Sequence, residues 1–596
     1  MLVRENDRIK VMNKKRMMMV FFVILLLMCL LLFRVAWIQI VKADEYTELA
    51  VNQQKGDVPI EAKRGTIFDR NGKELASSAT SYHIWLMPAE AKKYYSDSKI
   101  ADYAEDLAPI LSQSRDDILK SFRSKSTIVK LAEYQDKQVV DKVNELGISG
   151  ISVSSTTKRF YPMGSFASQV LGSVNDDNVG RSGLELEYDQ YLSGVSGRWI
   201  RNSDINGNPL SFGSDKYYGA EDGLNVTTTL DEVLQHYLEK AVATGMEKTK
   251  AARITAVAMD PKTGEILAMT NTPNFDPNKP MEPAKEDKEK FKKMNETEKT
   301  EYLSNMWRNA AINDVYEPGS TFKLLTTSVA LEEGIAKPDT VLTCRGHENI
   351  SGVDIFCFDK NVHGSINVKK AVAESCNCIQ MQLGANIGAE RYFEYMDMFG
   401  ITRPTGVDYP AEALPVLTDR TNFNPVNMAT MYFGQGFSIT PIQLVSAVCS
   451  IGNDGILMQP HFVRSLENKD GKTVKEFKPT QVRKVMSKET AAEMRDIMEF
   501  QVNEGGGRIA RIEGVRIGGK TGTSEVVRDG KYTTDTYGSF IAMAPMDDPK
   551  IVVLVAVDSP KTVKYGVLAA APIVKEFLQN GLPYLGVQTK FAESGN

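Results

Sequence analysis

The chain carries no excess of positive charge. Its 596 residues include 71 lysines and arginines against 76 aspartates and glutamates, a formal net charge of −5. That balance gives a nucleic-acid partner no electrostatic footing, and no basic stripe occurs beyond residues 1–16. Internal repeats and low-complexity stretches are absent, which argues against solenoids and disordered linkers. A second long apolar run is also missing, so at most one membrane crossing is expected. Residues 42 to about 220 contain no nucleophile or metal motif. Cysteine is scarce: Cys29, Cys344, Cys357, Cys376, Cys378 and Cys449 are the full set of six. Four of them fall between 344 and 378, and such clustering in an exported chain suggests a disulfide or a metal site.

The one long apolar run is Met17–Phe33. Arg34 interrupts it and can snorkel to the interface, so Val35–Ile38 extends the span to roughly 20 residues, enough for a bilayer core. Arg4, Arg8, Lys10, Lys14, Lys15 and Arg16 precede it. The positive-inside rule then keeps the N-terminus cytoplasmic and the rest outside, with Trp37 at the outer interface. The run is too long for a cleaved signal peptide, and Val41-Lys42-Ala43 is a poor cleavage site. Residues 1–16 are read as a cytoplasmic tail and 17–41 as an anchor.

A chain of this length exceeds what one core supports, so two or more further domains are expected. Residues 42–223 read as an irregular α+β spacer, or pedestal. Asn71-Gly72 marks a tight turn, residues 100–146 show helical spacing, Ile148–Ser154 is strand-like, and 183–197 suggests a short helix closed by Gly194 and Gly197. Residues 224–585 form the second domain, and 586–596 a tail. Within it Val226–Leu230 is strand-like, and Asp231 opens a helix to Thr249. Ile254–Asp260 and Glu265–Met269 are strands joined by a turn. Residues 279–304 are a charged excursion, 551–557 a buried strand and 569–579 a helix. The fold class is multidomain α+β, with a sheet packed against helices.

Three short motifs follow one another in that domain. Ser320-Thr321-Phe322-Lys323 puts a hydroxyl and an amine on one helix face, where a neutral lysine can activate a serine. Ser375-Cys376-Asn377 offers a hydroxyl that can relay a proton and an amide for a substrate carbonyl. Lys520-Thr521-Gly522-Thr523, after Gly518-Gly519, reads as an edge strand that a substrate backbone can approach closely. Each tripeptide or tetrapeptide alone says little. In this order, 55 and 145 residues apart, they are specific.

These motifs resemble the active-site signature of class B penicillin-binding proteins. Arg64-Gly65-Thr66-Ile67-Phe68-Asp69-Arg70-Asn71-Gly72 resembles the opening motif of that family's pedestal, and Phe433-Gly434-Gln435-Gly436 with Thr440-Pro441 and Gln443 a further segment. The cysteine-bearing stretch from Gly346-His347 through Cys357 and His363-Gly364 resembles a sporulation-specific subgroup. One member of that subgroup carries extra C-terminal wall-binding modules, a departure from the reading of 586–596 as a short tail.

The resemblance implies a serine β-lactamase-like transpeptidase domain, an antiparallel sheet packed with helices. It further implies a peptidoglycan D,D-transpeptidase. Ser320 would be the nucleophile, Lys323 its base and Ser375 a proton relay, with Asn377 orienting the substrate amide. Lys520, Thr521, Gly522 and Thr523 would bind the terminal carboxylate, and the backbone N–H groups of Ser320 and Thr523 the oxyanion. The implied partners are peptidoglycan stem peptides, β-lactams, the membrane and a polytopic glycosyltransferase. The catalytic domain would lie outside the cell or in the intermembrane space of a forespore. The chemistry itself requires no cofactor.

The thiol cluster leaves alternatives open. Asp354, Cys357, His363 and Cys376 could hold a structural Zn²⁺, with Cys344 a rival fourth ligand. A Cys344–Cys357 disulfide and free buried thiols are the other readings. Rival functions are a D,D-carboxypeptidase or β-lactamase, in which water replaces the amine, a membrane-bound β-lactam sensor, and a scaffold.

Overall fold

The computed structural model describes residues 2–42, 55–202, 216–284, 287–417, 424–528, 531–563 and 566–588. The expected C-terminal tail lies outside the described residues from 589 onward. Two compact units emerge. One comprises Met1–Ala62 with Val195–Glu221, the other Lys63–Gly194 with Asp222–Asn596.

In the first unit the helix Leu2–Ala36 continues as a π-turn over Trp37–Val41. Its segment Lys14–Val41 is long and apolar enough to cross a membrane. The same unit holds a three-stranded sheet in which Gly197–Asn202 pairs antiparallel with both Lys55–Ile60 and Lys216–Tyr218.

The second unit is built around a five-stranded antiparallel sheet. Its order is Ile266–Thr272, Arg253–Met259, Ile551–Asp558, Lys531–Ala544 and Gly518–Arg528, which places Lys520 on an edge strand. Alternate residues point to opposite faces. Val257, Met259, Val552 and Leu554 pack with Leu444 and Val448 of the fully buried helix Pro441–Gly452. Ala256, Ala258, Val553 and Val555 pack against helices Glu232–Thr249 and Gly566–Tyr584. Because both faces are covered, the strand at 551–557 reads as an unbroken apolar run rather than an alternating one. Helix starts follow capping chemistry. Asp231 accepts from Val233 N and Leu234 N, and Thr440 forms a capping box with Gln443 ahead of Pro441.

A second, seven-stranded sheet joins strands of the 42–223 region to strands of the region after it. Ile67–Phe68 pairs antiparallel with Glu74–Leu86 across the Asn71-Gly72 turn, and parallel with Asn225–Thr228, which in turn pairs with Val463–Glu467. Behind this junction sits a buried ion cluster. Glu185 accepts from Arg64 Nε and Arg159 Nε, each at 2.6 Å, and Arg64 also reaches Asp189 at 2.6 Å. Burial pushes the Glu185 carboxyl up, but Arg159 and Arg64 outweigh it and hold it below its ordinary value.

Several sequence expectations change. The stretch 100–146 is not continuous helix. Helices Asp97–Leu111, Arg115–Arg123 and Lys137–Glu145 flank a strand, Val129–Gln135, that pairs with Glu74–Leu86. That strand is set by its long-range partner, which local periodicity does not record. The strand expected at 148–154 runs Ile151–Phe160. Residues 183–197 hold two short helices, Gly183–Glu187 and Asp189–Leu192. The charged excursion folds as helices Lys288–Lys293 and Glu296–Trp307, with Leu303 and Met306 buried on Phe275.

Candidate active site

Pro318-Gly319 breaks the chain, and Gly319–Phe322 then forms a single 3₁₀ turn that feeds the buried helix Lys323–Glu332. The turn is held from two sides. Gly319 N donates to Gly434 O at 2.9 Å, and Gly436 N donates to Glu317 Oε1 at 3.0 Å. Tyr532 OH donates to the same Glu317 oxygen at 2.8 Å, and Ser524 Oγ to Glu317 O at 2.8 Å. Burial pushes the Glu317 carboxyl up. Gly434 sits at φ +91, and a Cβ there would stand 2.1 Å from Gly319 O. A Cβ on Gly522 would stand 2.3 Å from Ser539 Oγ and 3.0 Å from Thr321 Cγ2. Only glycine lets the edge strand lie this close to the Ser320 turn.

Ser320 is half-buried and opens into a cavity of about 220 Å³. Ser375, Asn377, Thr521, Gly522 and Thr523 line the same cavity, together with Phe358, Asn361, His363, Glu374, Phe433 and Gln435. Lys323 and Lys520 are fully buried beneath it. Lys323 Nζ donates to Ser375 O at 2.7 Å, Ser375 Oγ at 3.2 Å and Asn377 Oδ1 at 2.6 Å. Lys520 Nζ donates to Ser375 Oγ at 3.0 Å and to Thr521 O at 3.1 Å. Among the described residues Ser320 Oγ has no hydrogen-bond partner. The expected Lys323–Ser320 bond is therefore not formed here, a looseness common in unliganded catalytic sites. Thr523 Oγ1 accepts from Gly566 N at 3.3 Å. Ser375 itself sits in the left-handed region at φ +55.

Burial pulls both lysines toward the neutral form. It lowers Lys323 to about 8, against an upward pull from the thiols of Cys376, Cys357 and Cys378. Lys520 falls well below its ordinary value, first through burial and then through the charge of Lys323. Two buried amines sharing one serine hydroxyl make a short proton path that ends one helical turn from Ser320.

The cysteine cluster lies behind this wall. Cys344 Sγ is 3.6 Å from Cys357 Sγ and 3.4 Å from His363 Nδ1, and Cys357 Sγ is 3.6 Å from Cys376 Sγ. The ligand atoms of Cys344, Cys357, His363 and Cys376 all lie within 4.8 Å of one another. All the thiols are free, and Cys378 Sγ is a fifth neighbour at 3.5 Å from Cys357. Asp354 is outside the group: it projects from the exposed hairpin 347–356 and accepts from Asn349 Nδ2 at 2.6 Å. The cluster of ligand atoms has Cys344 where the spacing suggested Asp354. Sequence spacing alone missed Glu317 and Glu374. Glu317 carried a signal in standing next to Pro318-Gly319, whereas Glu374 had none beyond adjacency to Ser375.

Residues 254–579 match the family model described as penicillin binding protein transpeptidase domain, and residues 59–228 match the penicillin-binding protein dimerisation domain. The chain is 36% identical over 569 residues to stage V sporulation protein D of Bacillus subtilis, covering 94% of this chain and 84% of that one. It is 26% identical over 571 residues to the peptidoglycan D,D-transpeptidase FtsI of Escherichia coli, covering 95% and 91%. Among solved structures, penicillin binding protein 2X from Streptococcus thermophilus superposes with a TM-score of 0.73 at 27% identity, covering 91% and 82%.

Proposed function

This chain belongs to the class B penicillin-binding proteins, and from that membership we propose how its cavity works as a peptidoglycan D,D-transpeptidase. Ser320 Oγ attacks the carbonyl of the penultimate D-alanine of a donor stem peptide. Its proton passes to neutral Lys323, the peptide C–N bond breaks, and the departing D-alanine takes a proton by way of Ser375 between Lys323 and Lys520. The ester on Ser320 then yields to an amine of a neighbouring stem peptide. Asn377 orients the substrate amide, and Lys520, Thr521 and Thr523 receive the terminal carboxylate. Backbone N–H groups of Ser320 and Thr523 hold the oxyanion, where one such donor contributes about 3–4 kcal/mol to the transition state. Gly522 contributes by having no side chain.

The observation that carries this reading is the pair of buried lysines converging on Ser375 Oγ beside Ser320. The test is covalent labelling of the full chain in detergent by a fluorescent penicillin. A stable adduct on wild type and none on a folded Ser320→Ala variant is the expected result. Adduct formation by both would remove Ser320 from the role.

The division into pedestal at 42–223 and catalytic domain at 224–585 is supported by the two matched segments. The basic residues ahead of the apolar helix support a cytoplasmic N-terminus and an external catalytic domain. Class B proteins make no glycan strands, so a polytopic glycosyltransferase is the proposed partner.

For the thiol cluster the proposal is a structural Zn²⁺ held by Cys344, Cys357, His363 and Cys376. A tetrahedron with Zn–S bonds of 2.3 Å has edges of about 3.8 Å. Three of the separations are 3.4–3.6 Å, and all four ligand atoms lie within 4.8 Å of one another, close to those edges. Such an ion would fix the loop that brings Phe358, Asn361 and His363 to the cavity, and would take no part in the acyl transfer.

A further inference from the structure

Among the described residues that line the Ser320 cavity, Glu374 supplies the one carboxylate. Its side chain is exposed, and among the described residues no lysine, arginine or histidine pairs with it. Local stability does not account for it either. Glu374 caps the C-terminal end of helix Val368–Ala373, where a negative charge faces the negative end of the helix dipole. Its tether is nonetheless rigid. Glu374 N bonds Lys370 O at 2.8 Å, Ser375 follows at φ +55, and Cys376 is buried.

The cavity is therefore polarised. On the edge strand, Thr521 and Thr523 offer a hydroxyl-rich wall suited to a carboxylate, with Lys520 buried beneath it. The side of the cavity formed by Ser375 and Asn377 carries the Glu374 carboxylate, which pairs with no cation among the described residues. The first half-reaction needs only the carboxylate side. In the second, a strand bearing an ammonium must reach the Ser320 ester ahead of water. The ammonium gives one proton to solvent, the neutral nitrogen attacks, the new C–N bond forms as the C–Oγ bond breaks, and the second nitrogen proton passes through Lys323 to Ser320 Oγ.

We propose that Glu374 binds the ammonium of the acceptor strand and so selects an amine over water as the second substrate. This rests on the transpeptidase reading of the cavity. It assigns Glu374 to the acceptor half-reaction.

The experiment uses the full chain in detergent with an acyl-D-alanyl thioester as donor and D-alanine or D-alaninamide as acceptor. Aminolysis and hydrolysis products are quantified together for wild type, Glu374→Gln and Glu374→Asp. In E374Q the acceptor concentration for half-maximal aminolysis rises about tenfold, as expected for one charged hydrogen bond. The aminolysis-to-hydrolysis ratio falls accordingly, by far more than the acylation rate does. E374D recovers part of the ratio, and the salt dependence of acceptor saturation seen in wild type disappears in E374Q. An E374Q ratio within twofold of wild type, with its salt dependence intact, overturns the assignment of Glu374 alone. A wild-type acyl-enzyme that passes only to water overturns the transpeptidase reading and this inference with it.

Discussion

Lys520 Nζ donates to Ser375 Oγ at 3.0 Å, although 145 residues separate the two in the chain. Lys323, at the start of the helix that follows the Ser320 turn, reaches the same oxygen at 3.2 Å. One hydroxyl thus joins two buried amines, and burial disfavours charging both.

The pH dependence of acylation follows from Lys323, which burial lowers to about 8. Protonated lysine cannot take the Ser320 proton. Labelling by fluorescent penicillin should therefore be slow below that value, rise as pH passes through about 8, and then level off. Second-order labelling rates across this range check it, and a flat profile would remove Lys323 as the base. Lys323→Ala should lose at least about 100-fold in rate, the lower end of what a positioned base contributes.

Gly434→Ala tests the turn that presents Ser320. Its φ of +91 and the 2.1 Å approach of a Cβ to Gly319 O leave no room for a methyl group. The backbone strain alone costs about 1–3 kcal/mol. The expected outcome is a lower melting temperature together with a fall in penicillin labelling, because Gly319 and Ser320 must shift. Labelling at the wild-type rate would show that the Gly319–Gly434 bond is dispensable.

The buried cluster at the pedestal junction should dominate stability. Glu185→Ala leaves the Arg64 and Arg159 guanidiniums without their shared anion and should cost about 3–5 kcal/mol. Exposed pairs such as Lys292–Glu289 should cost no more than about 1 kcal/mol when broken. Denaturant unfolding of the two variants side by side distinguishes them, and equal losses would contradict the burial argument.

Metal content separates the candidate ligands. Purified wild type should hold about one zinc per chain, as a four-ligand site requires. Cys344→Ser and Cys357→Ser should lose it, while Asp354→Asn should retain it. Wild type without zinc would discard the site, and loss in Asp354→Asn would restore the ligand set read from spacing.

The sequence by itself determined the class of chemistry. Ser320 and Lys323 lie one helical turn apart, so their joint use is local. The apolar run at 17–33 is likewise written in consecutive residues, and so is the covered strand at 551–557. What it left open is everything fixed by contacts between distant segments. The strand Val129–Gln135 exists because Glu74–Leu86 pairs with it, and helical spacing around it hid that partner. Asp354 stands only three residues from Cys357, yet the hairpin carries it to solvent while Cys344 arrives at the end of the strand that pairs with Gly364–Asn367. The Lys520–Ser375 bond and the placing of Glu374 in the Ser320 cavity depend on an edge strand meeting a helix wall. Such meetings are decided by packing the sheet's two faces, a property of the folded whole that no local pattern encodes.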